Sequence, residues 1–257
     1  MTAMTCVADN DFLDRDTIIA GSDFNWAMPQ ESRMAPIALK PRPTPSAPTS
    51  FRIRLANTEG RRSTASYLIQ KMYGWRGYAT ADCQATPEQI TLVASDGQRA
   101  LGTLSVGFDS WRGLLVDTLY RREVDALRDT GAVLCEFTKL AVDRNEQSRE
   151  LLAMLFHIAY MYARRLNGCT DLLIEVNPRH VRFYKAMLGF EVIGAQRTCP
   201  RVNAPGVLLR LDLSYTESQI ALYGGHRELA GSVRSLYPLA FSADEEDGIC
   251  GRLRSLG

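Results

Sequence analysis

The stretch that most constrains the fold of this chain lies between residues 172 and 194. The apolar run Leu172–Val176 predicts a buried strand, and Phe190–Ile193 predicts a second one. An Asn-Pro pair follows the first strand, and proline sets the backbone for the first turn of a helix. Gly189 permits a left-handed exit from the amphipathic helix that the sequence predicts over His180–Leu188. The stretch therefore predicts a strand-helix-strand unit.

Length and charge exclude some classes of protein. The chain has 257 residues, enough for one large domain or two small ones with a substantial core. Its formal net charge of +1 argues against a nucleic-acid binder that relies on bulk charge. Arginine dominates the basic residues, which reflects either a GC-rich genome or an anionic partner for clusters such as Arg121-Arg122.

Cysteine spacing and hydropathy indicate in which cellular compartment the protein is expected. The six cysteines are far apart, without a CxxC pair or a histidine at metal-ligand spacing, so we expect neither a metal site nor a disulfide framework. The N-terminus lacks the basic and apolar regions of a signal peptide. No run approaches the roughly 20 apolar residues of a transmembrane segment. These features predict a cytoplasmic protein.

Composition divides the chain into three parts. Residues 1–49 end in a proline-rich run and predict a flexible N-terminal tail. Residues 50–213 carry strands that mostly alternate with helices in the second half, which predicts an α/β domain with a mixed central sheet. Residues 214–257 contain a short helical run at Glu217–Leu222 and an acidic patch, and they predict a C-terminal appendage.

Two segments of the central domain resemble known acyltransferases. The strand-helix-strand unit, with a tyrosine on its helix, is similar to the last motif of the GNAT (acyl-CoA N-acyltransferase) fold. The strand segment Cys135–Val142, CEFTKLAV, resembles the glutamate-bearing strand of acyl-homoserine-lactone autoinducer synthases and of FeeM-type long-chain N-acyl amino acid synthases. The resemblance spans residues 51–213. It implies a GNAT-like sheet with two splayed strands, flanked by helices, and an acyl-pantetheine chain lying in the gap.

The resemblance also implies how the donor is bound. Backbone N–H groups of Leu140, Ala141 and Val142 would bind the acyl carbonyl, where thioester aminolysis builds negative charge. Asn177 matches the first residue of the Asn-x-x-Ala-x-x-x-Tyr pattern of GNAT enzymes and is assigned with them to donor binding. No tightly bound cofactor is implied, only an acyl-phosphopantetheine donor.

The predicted start of the long helix departs from the GNAT pattern. Enzymes of that fold that use coenzyme A have a glycine-rich loop there for the pyrophosphate, whereas Asp143–Glu150 contains no glycine and three acidic residues. Carboxylates oppose an anion at a helix N-terminus. An acyl carrier protein presents the same arm on a single phosphate, and its acidic surface suits arginine patches. We therefore expect an acyl carrier protein as donor, with acyl-coenzyme A as the alternative.

Glu136 is the strongest candidate for catalysis. It lies in an otherwise apolar strand, and alternation places it on the opposite face from Cys135 and Phe137. Burial would raise the pKa of its carboxyl group, which suits a general base for an amine. The autoinducer synthases place their proposed base at this position. The alternative is a structural glutamate paired with an arginine.

Tyr184 and His180 are further candidates on the short helix. The resemblance implies that Tyr184 donates a proton to the departing thiolate, and the alternative is a packed tyrosine. His180 lies one turn earlier and is either a second base, a substrate contact or a solvated residue of the cap region. Upstream, residues 61–80 hold Tyr67, Tyr73, Trp75 and Tyr78, which either close over the acyl chain or belong to an amphipathic core helix.

Taken together, these features predict an N-acyltransferase. It would move a long-chain fatty acyl group from acyl carrier protein to the amine of an amino acid or similar small molecule, with no nucleic acid as partner. One alternative is an acetyltransferase dependent on coenzyme A. The other is a non-catalytic GNAT-like module that binds an acyl ligand or a partner protein.

Overall fold

A mixed β-sheet organises the part of the chain that the computed structural model describes, residues 17–20, 51–74, 87–96, 99–143 and 148–256. Within it the strand order is β1-β2-β3-β4-β5-β6-β9-β7, and β8 pairs with β9. The strands are β1 Thr17–Ala20, β2 Arg52–Leu55, β3 Gln89–Ser95, β4 Ala100–Phe108, β5 Leu134–Val142, β6 Asp171–Val176, β7 Glu191–Val192, β8 Arg197–Cys199 and β9 Ala204–Asp212.

Six α-helices flank this sheet in the described residues. They are α1 Glu59–Ile69, α2 Asp117–Asp129, α3 Ser148–Tyr160, α4 Pro178–Leu188, α5 Leu213–Tyr223 and α6 Ala243–Leu256. A π-helical turn extends α1 over Gln70–Gly74 and α3 over Met161–Leu166. None of the described helices has the length and apolar character needed to cross a membrane.

The unit β6-α4-β7 forms as the sequence predicts. Asn177 precedes α4 and its side-chain oxygen accepts a hydrogen bond from the N–H of Arg179 at 3.2 Å, which caps the helix. Gly189 ends α4 with φ of 85°, a conformation that is favourable for glycine and costly for other residues. Local sequence is therefore sufficient to begin and end this helix.

The two central strands part, which confirms the predicted splay. Strands β5 and β6 run parallel, and their pairing consists of Leu134 with Asp171, Cys135 with Leu172, and Glu136 with Leu173. Beyond these three pairs β5 remains bonded to β4, whereas β6 remains bonded to β9. A wedge-shaped gap therefore opens between the two strands toward their C-terminal ends.

Helices cover the two faces of the sheet differently. On one face, α1 packs on Val93, and α2 packs on Leu173 and Leu208. On the other face, α3 and the C-terminal helices share the main core with Phe137 and Leu172. The sheet thus separates an α1–α2 side from an α3–α4 side, and the gap between β5 and β6 connects them.

The two ends of the chain require corrections to the predicted domain limits. Thr17–Ala20 forms β1, which pairs with β2, so these four residues belong to the sheet rather than to a tail; the rest of residues 1–49 lies outside the described residues. The predicted appendage contributes Tyr237, Phe241 and Ile249 to the main core, and its helix α6 packs against β1 and the π-helical end of α3. Helix α5 begins at Leu213, earlier than predicted, because Asp212 caps it.

Candidate active site

The gap between β5 and β6 is bordered by an irregularity in β5. Thr103 of β4 is opposite Ala141 and Ser105 is opposite Thr138, so two residues of β5 face one of β4. This is a β-bulge, and Lys139 within it has φ of 52°. Bulges redirect the backbone, and here the redirected segment is the one predicted to bind the acyl carbonyl.

The directions of the backbone N–H groups beyond the bulge follow from the pairing of β5 with β4. The N–H of Asp143 donates to the carbonyl of Leu101 at 2.7 Å, so it points toward β4. Because successive N–H groups of a strand point to opposite sides, the N–H of Val142 points away from β4, toward the gap. The carbonyl of Leu140 accepts a hydrogen bond from the hydroxyl of Tyr73 at 2.7 Å. Of the predicted segment, Val142 thus presents a donor to the gap.

Glu136 lies at the last pair before the gap, on the α1–α2 side, and is 5% exposed. One carboxylate oxygen accepts from the N–H of Leu115 at 2.8 Å, and the other from the N–H of Val116 at 3.0 Å. Burial raises the pKa of Glu136 to about 7, while the two N–H donors and the charge of Arg201 act in the opposite direction. A carboxyl group with this pKa exchanges a proton near neutral pH.

The loop that holds Glu136 is itself fixed by polar contacts. The carboxylate of Asp117 accepts from the N–H of Leu114 at 2.6 Å and from the guanidinium of Arg128 at 2.7 Å. Gly107 of β4 is paired with Glu136 on the neighbouring strand, and a Cβ atom at Gly107 would lie 3.1 Å from the Cγ atom of Glu136. Gly107 therefore leaves room for the side chain of Glu136, and the contacts of Asp117 fix the loop that binds it.

Tyr184 lies on the other side of the sheet, on α4. Its ring contacts those of Phe156 and Phe190, with centroids 6.4 and 5.6 Å away. Burial raises the pKa of Tyr184 well above its ordinary value, and the neighbouring hydroxyl of Tyr73 raises it further. The Tyr184 hydroxyl therefore keeps its proton at neutral pH. Glu136 and Tyr184 border one gap from opposite faces.

The other predicted residues have local roles in the structure. Asn177 is the cap of α4, as described above, and the Nε2 atom of His180 accepts from the Nε–H of Arg179 at 3.1 Å. This contact holds His180 at the first turn of α4, on the α3–α4 side, with Glu136 on the opposite face of the sheet. Of the predicted aromatic residues, Tyr73 reaches the gap, while Trp75 and Tyr78 lie outside the described residues.

Arg201 is a residue of the site that sequence reasoning missed. Its guanidinium forms an ion pair with Glu175 at 2.7 Å and donates to the carbonyl of Leu115 at 3.1 Å. Leu115 thus donates its backbone N–H to Glu136 and accepts a hydrogen bond from Arg201 at its carbonyl. No sequence pattern signals this contact, because it joins residues far apart in the chain.

The predicted donor loop is only partly within the described residues. Asp143 pairs with Arg99 at 3.3 Å and with Lys71 at 3.8 Å, so its charge is balanced locally. Residues 144–147 lie outside the described residues. Among the residues that the structure does describe, no cluster of three histidine, cysteine or acidic side chains forms a candidate metal site.

Comparison with known proteins identifies the family of the chain that carries this site. A sequence model of the N-acyl amino acid synthase FeeM family matches residues 64–212, more than half of the chain. The solved structure of FeeM, an N-acyl amino acid synthase from uncultured soil microbes, is 28% identical with a TM-score of 0.60. The match covers 65% of this chain and 94% of that one.

Two further solved structures match at lower similarity. An acyl-CoA N-acyltransferase from Pseudomonas aeruginosa is 14% identical with a TM-score of 0.43, over 62% of this chain and 98% of that one. MesI, a CoA-dependent acyl-homoserine lactone synthase, is also 14% identical with a TM-score of 0.43, over 63% and 89%. A comparison with curated proteins finds no match.

The family match covers the strand that carries Glu136, the gap beside it and the helix that carries Tyr184. The mixed sheet with its splayed central strands is that of the GNAT fold, as the likeness to FeeM shows. This chain is therefore an N-acyltransferase that uses an acyl donor, and it belongs to the FeeM family of N-acyl amino acid synthases.

Proposed function

We propose that this enzyme transfers a long-chain fatty acyl group from acyl carrier protein to the amine of an amino acid or a similar small molecule. The observation that carries the proposal is the state of Glu136. Its buried carboxylate, held by two backbone N–H groups and with a pKa of about 7, lies where β5 and β6 begin to part. A base with this pKa is suited to amine deprotonation near neutral pH.

In the proposed reaction the amine approaches from the α1–α2 side. The neutral amine attacks the thioester carbonyl carbon and forms the C–N bond, and Glu136 accepts the proton that the nitrogen loses in this step. The N–H of Val142, within the predicted segment Leu140–Val142, donates to the oxyanion as it forms. When the intermediate collapses the C–S bond breaks, and Tyr184 donates its proton to the departing thiolate from the α3–α4 side.

This division of roles follows from the positions of the two side chains. Glu136 and Tyr184 border the gap from opposite faces, so the proton acceptor lies on the side of the amine and the proton donor lies on the other side. The donor's arm would lie in the gap between them. We also assign Asn177 an indirect part in donor binding, because it fixes the start of α4 beside the gap.

Surface charge supports acyl carrier protein as the donor. Helix α4 exposes Arg179, Arg182 and Lys185 and contains no acidic residue. Exposed Arg149 in the first turn of α3 bonds to the carbonyl of Ser235, which brings a further cation near the same end of the molecule. Such a surface complements an acidic protein partner. The absence of glycine from Asp143–Glu150 weighs against a pyrophosphate-bearing donor.

The cysteines support a cytoplasmic location for this reaction. Cys135, Cys169, Cys199 and Cys250 are all buried as free thiols in the described residues. Free thiols persist in a reducing compartment, and disulfides are rare there.

Product analysis tests the proposal directly. The purified enzyme is incubated with palmitoyl-acyl carrier protein, palmitoyl-coenzyme A or acetyl-coenzyme A, each with a pool of amino acids, and N-acyl products are identified by mass spectrometry. We expect an N-acyl amino acid formed mainly from the carrier protein. Products from a coenzyme A donor alone would overturn acyl carrier protein as the donor. If no donor gives a product, either the acceptor is not an amino acid or the proposed activity is wrong.

A further inference from the structure

A buried apolar cavity of about 30 Å³ lies on the α3–α4 side of the sheet. Phe137 and Leu172, which line it, sit where β5 and β6 begin to part. A cavity of this size has room for about two water-sized groups, and apolar cavities stay dry and accept apolar ligands. It lies at the closed end of the gap, on the face opposite Glu136.

The wall of the cavity that faces the sheet comes from the C-terminal part of the chain. It is formed by Leu213, Thr216 and Ile220 of α5 together with Leu236, Tyr237 and Ala240. The family match ends at residue 212, so these residues lie outside it. The wall is therefore an addition of this chain to the matched region.

Hydrogen bonds hold this wall in a fixed position. The hydroxyl of Tyr237 donates to the carbonyl of Leu188 at 2.7 Å, and the N–H of Leu236 donates to the carbonyl of Met187 at 3.0 Å. The N–H of Phe241 donates to the Nδ1 atom of His157 at 3.0 Å. The segment is thus tied to the end of α4 and to α3, the two helices nearest the gap.

We propose that the segment Leu213–Ala240 ends the binding site of the acyl tail and sets the longest chain that the enzyme accepts. This inference rests on the proposed function. From Val142 to Phe137 the bulged strand runs alongside only the stretch of β4 from Gly102 to Val106, which is roughly 14 Å or on the order of ten extended methylene groups. The cavity adds room for about two more groups. A myristoyl chain therefore fills the site, and a stearoyl chain meets the wall.

Two substitutions with opposite effects test the proposal. Donors of graded length, from octanoyl to stearoyl, compete in one reaction, and the products are quantified by mass spectrometry. Ala240→Phe fills the cavity and is expected to move the preferred length down by about two carbons. Leu236→Ala enlarges it and is expected to move the preference up by about two to four carbons. Leu222→Ala is the matched control, because Leu222 of α5 is 59% exposed.

The proposal is wrong if folded Ala240→Phe and Leu236→Ala enzymes keep the wild-type length preference and change only the total rate. If Ala240→Phe does not fold, the milder filling variant Ala240→Val replaces it, and if Leu236→Ala does not fold, the milder enlarging variant Leu236→Val replaces it. If the wild type makes no product from any donor, the proposed function fails, and free fatty acids then test the cavity alone. Stabilisation of the wild type against heat should peak near myristate, and Ala240→Phe should shift that peak; a response independent of length would overturn the inference.

Discussion

The two sides of the sheet at the gap differ in chemistry although one strand supplies both. On the α1–α2 side, Glu136 and Thr138 lie near buried Ser105 and Thr91, whose hydroxyls are 2.7 Å apart. On the α3–α4 side, Phe137 packs on Phe156 amid apolar side chains. Because side chains alternate along a strand, adjacent residues deliver a base to one side and a lipid-binding surface to the other.

This difference suits a reaction that joins two unlike substrates. A polar amine needs a side with hydrogen-bonding groups and a base, whereas a fatty tail needs an apolar side from which water is excluded. The thioester carbon belongs to neither side and fits the gap that connects them. The following experiments alter one side at a time.

The largest effect is expected from Glu136→Gln. The amide keeps the size of the side chain but cannot accept a proton from the amine, so turnover should fall by about 10²- to 10⁴-fold. Steady-state rates of product formation measure the loss, and circular dichroism checks the fold. Glu191→Gln is the control, because Glu191 is an exposed acid on β7 and its substitution should leave the rate unchanged. A Glu136→Gln enzyme with the wild-type rate would exclude Glu136 as the base.

The buried carboxyl also makes stability depend on pH. The pKa of Glu136 is about 7 in the folded protein against 4.5 for the unperturbed group, so the folded state binds more protons between these values. Stability from this group is fully present below about pH 4.5 and falls as pH rises through 7, by about 3 kcal/mol in total. Urea denaturation of wild type and Glu136→Gln at about pH 5 and at about pH 8 measures the difference. Parallel pH dependences of the two proteins would show that Glu136 is not perturbed.

Sequence reasoning captured the parts of this site that are local. Strand β6, the proline in the first turn of α4 and the exit at Gly189 follow from neighbouring residues, and alternation along β5 correctly separated Glu136 from Phe137. The splay of β5 and β6 came from the family resemblance, since periodicity does not determine which strands pair.

The contacts that set the properties of Glu136 could not be predicted in this way. The N–H donors of Leu115 and Val116, and the charge of Arg201, come from loops far away in the chain. The same limit applies to the C-terminal segment, whose composition suggested an appendage although it packs into the main core. Tertiary packing decides such contacts, and no local pattern encodes them.

A smaller effect is expected from Tyr184→Phe on the apolar side. The substitution keeps the ring contacts with Phe156 and Phe190 and removes the proton that the hydroxyl would donate. A thiol has a pKa of about 8.5, so a thiolate departs tolerably without help, and we expect a loss of about tenfold to hundredfold in kcat. KM for the donor should change little. A loss as large as that of Glu136→Gln, or a rise in KM alone, would contradict the assignment of Tyr184 as the acid.

The smallest effect should come from Arg201, which links the polar side to Glu136 through charge. Arg201 lowers the pKa of Glu136, so Arg201→Met should raise that pKa and move the acidic limb of the kcat/KM profile to higher pH. We expect the pKa to shift by under about one unit, because the Arg201 side chain is partly exposed and burial dominates the pKa of Glu136. Arg201→Lys keeps the charge and should restore the wild-type limb. If both variants move the limb equally, the contact of Arg201 with the carbonyl of Leu115, rather than its charge, positions the loop that holds Glu136.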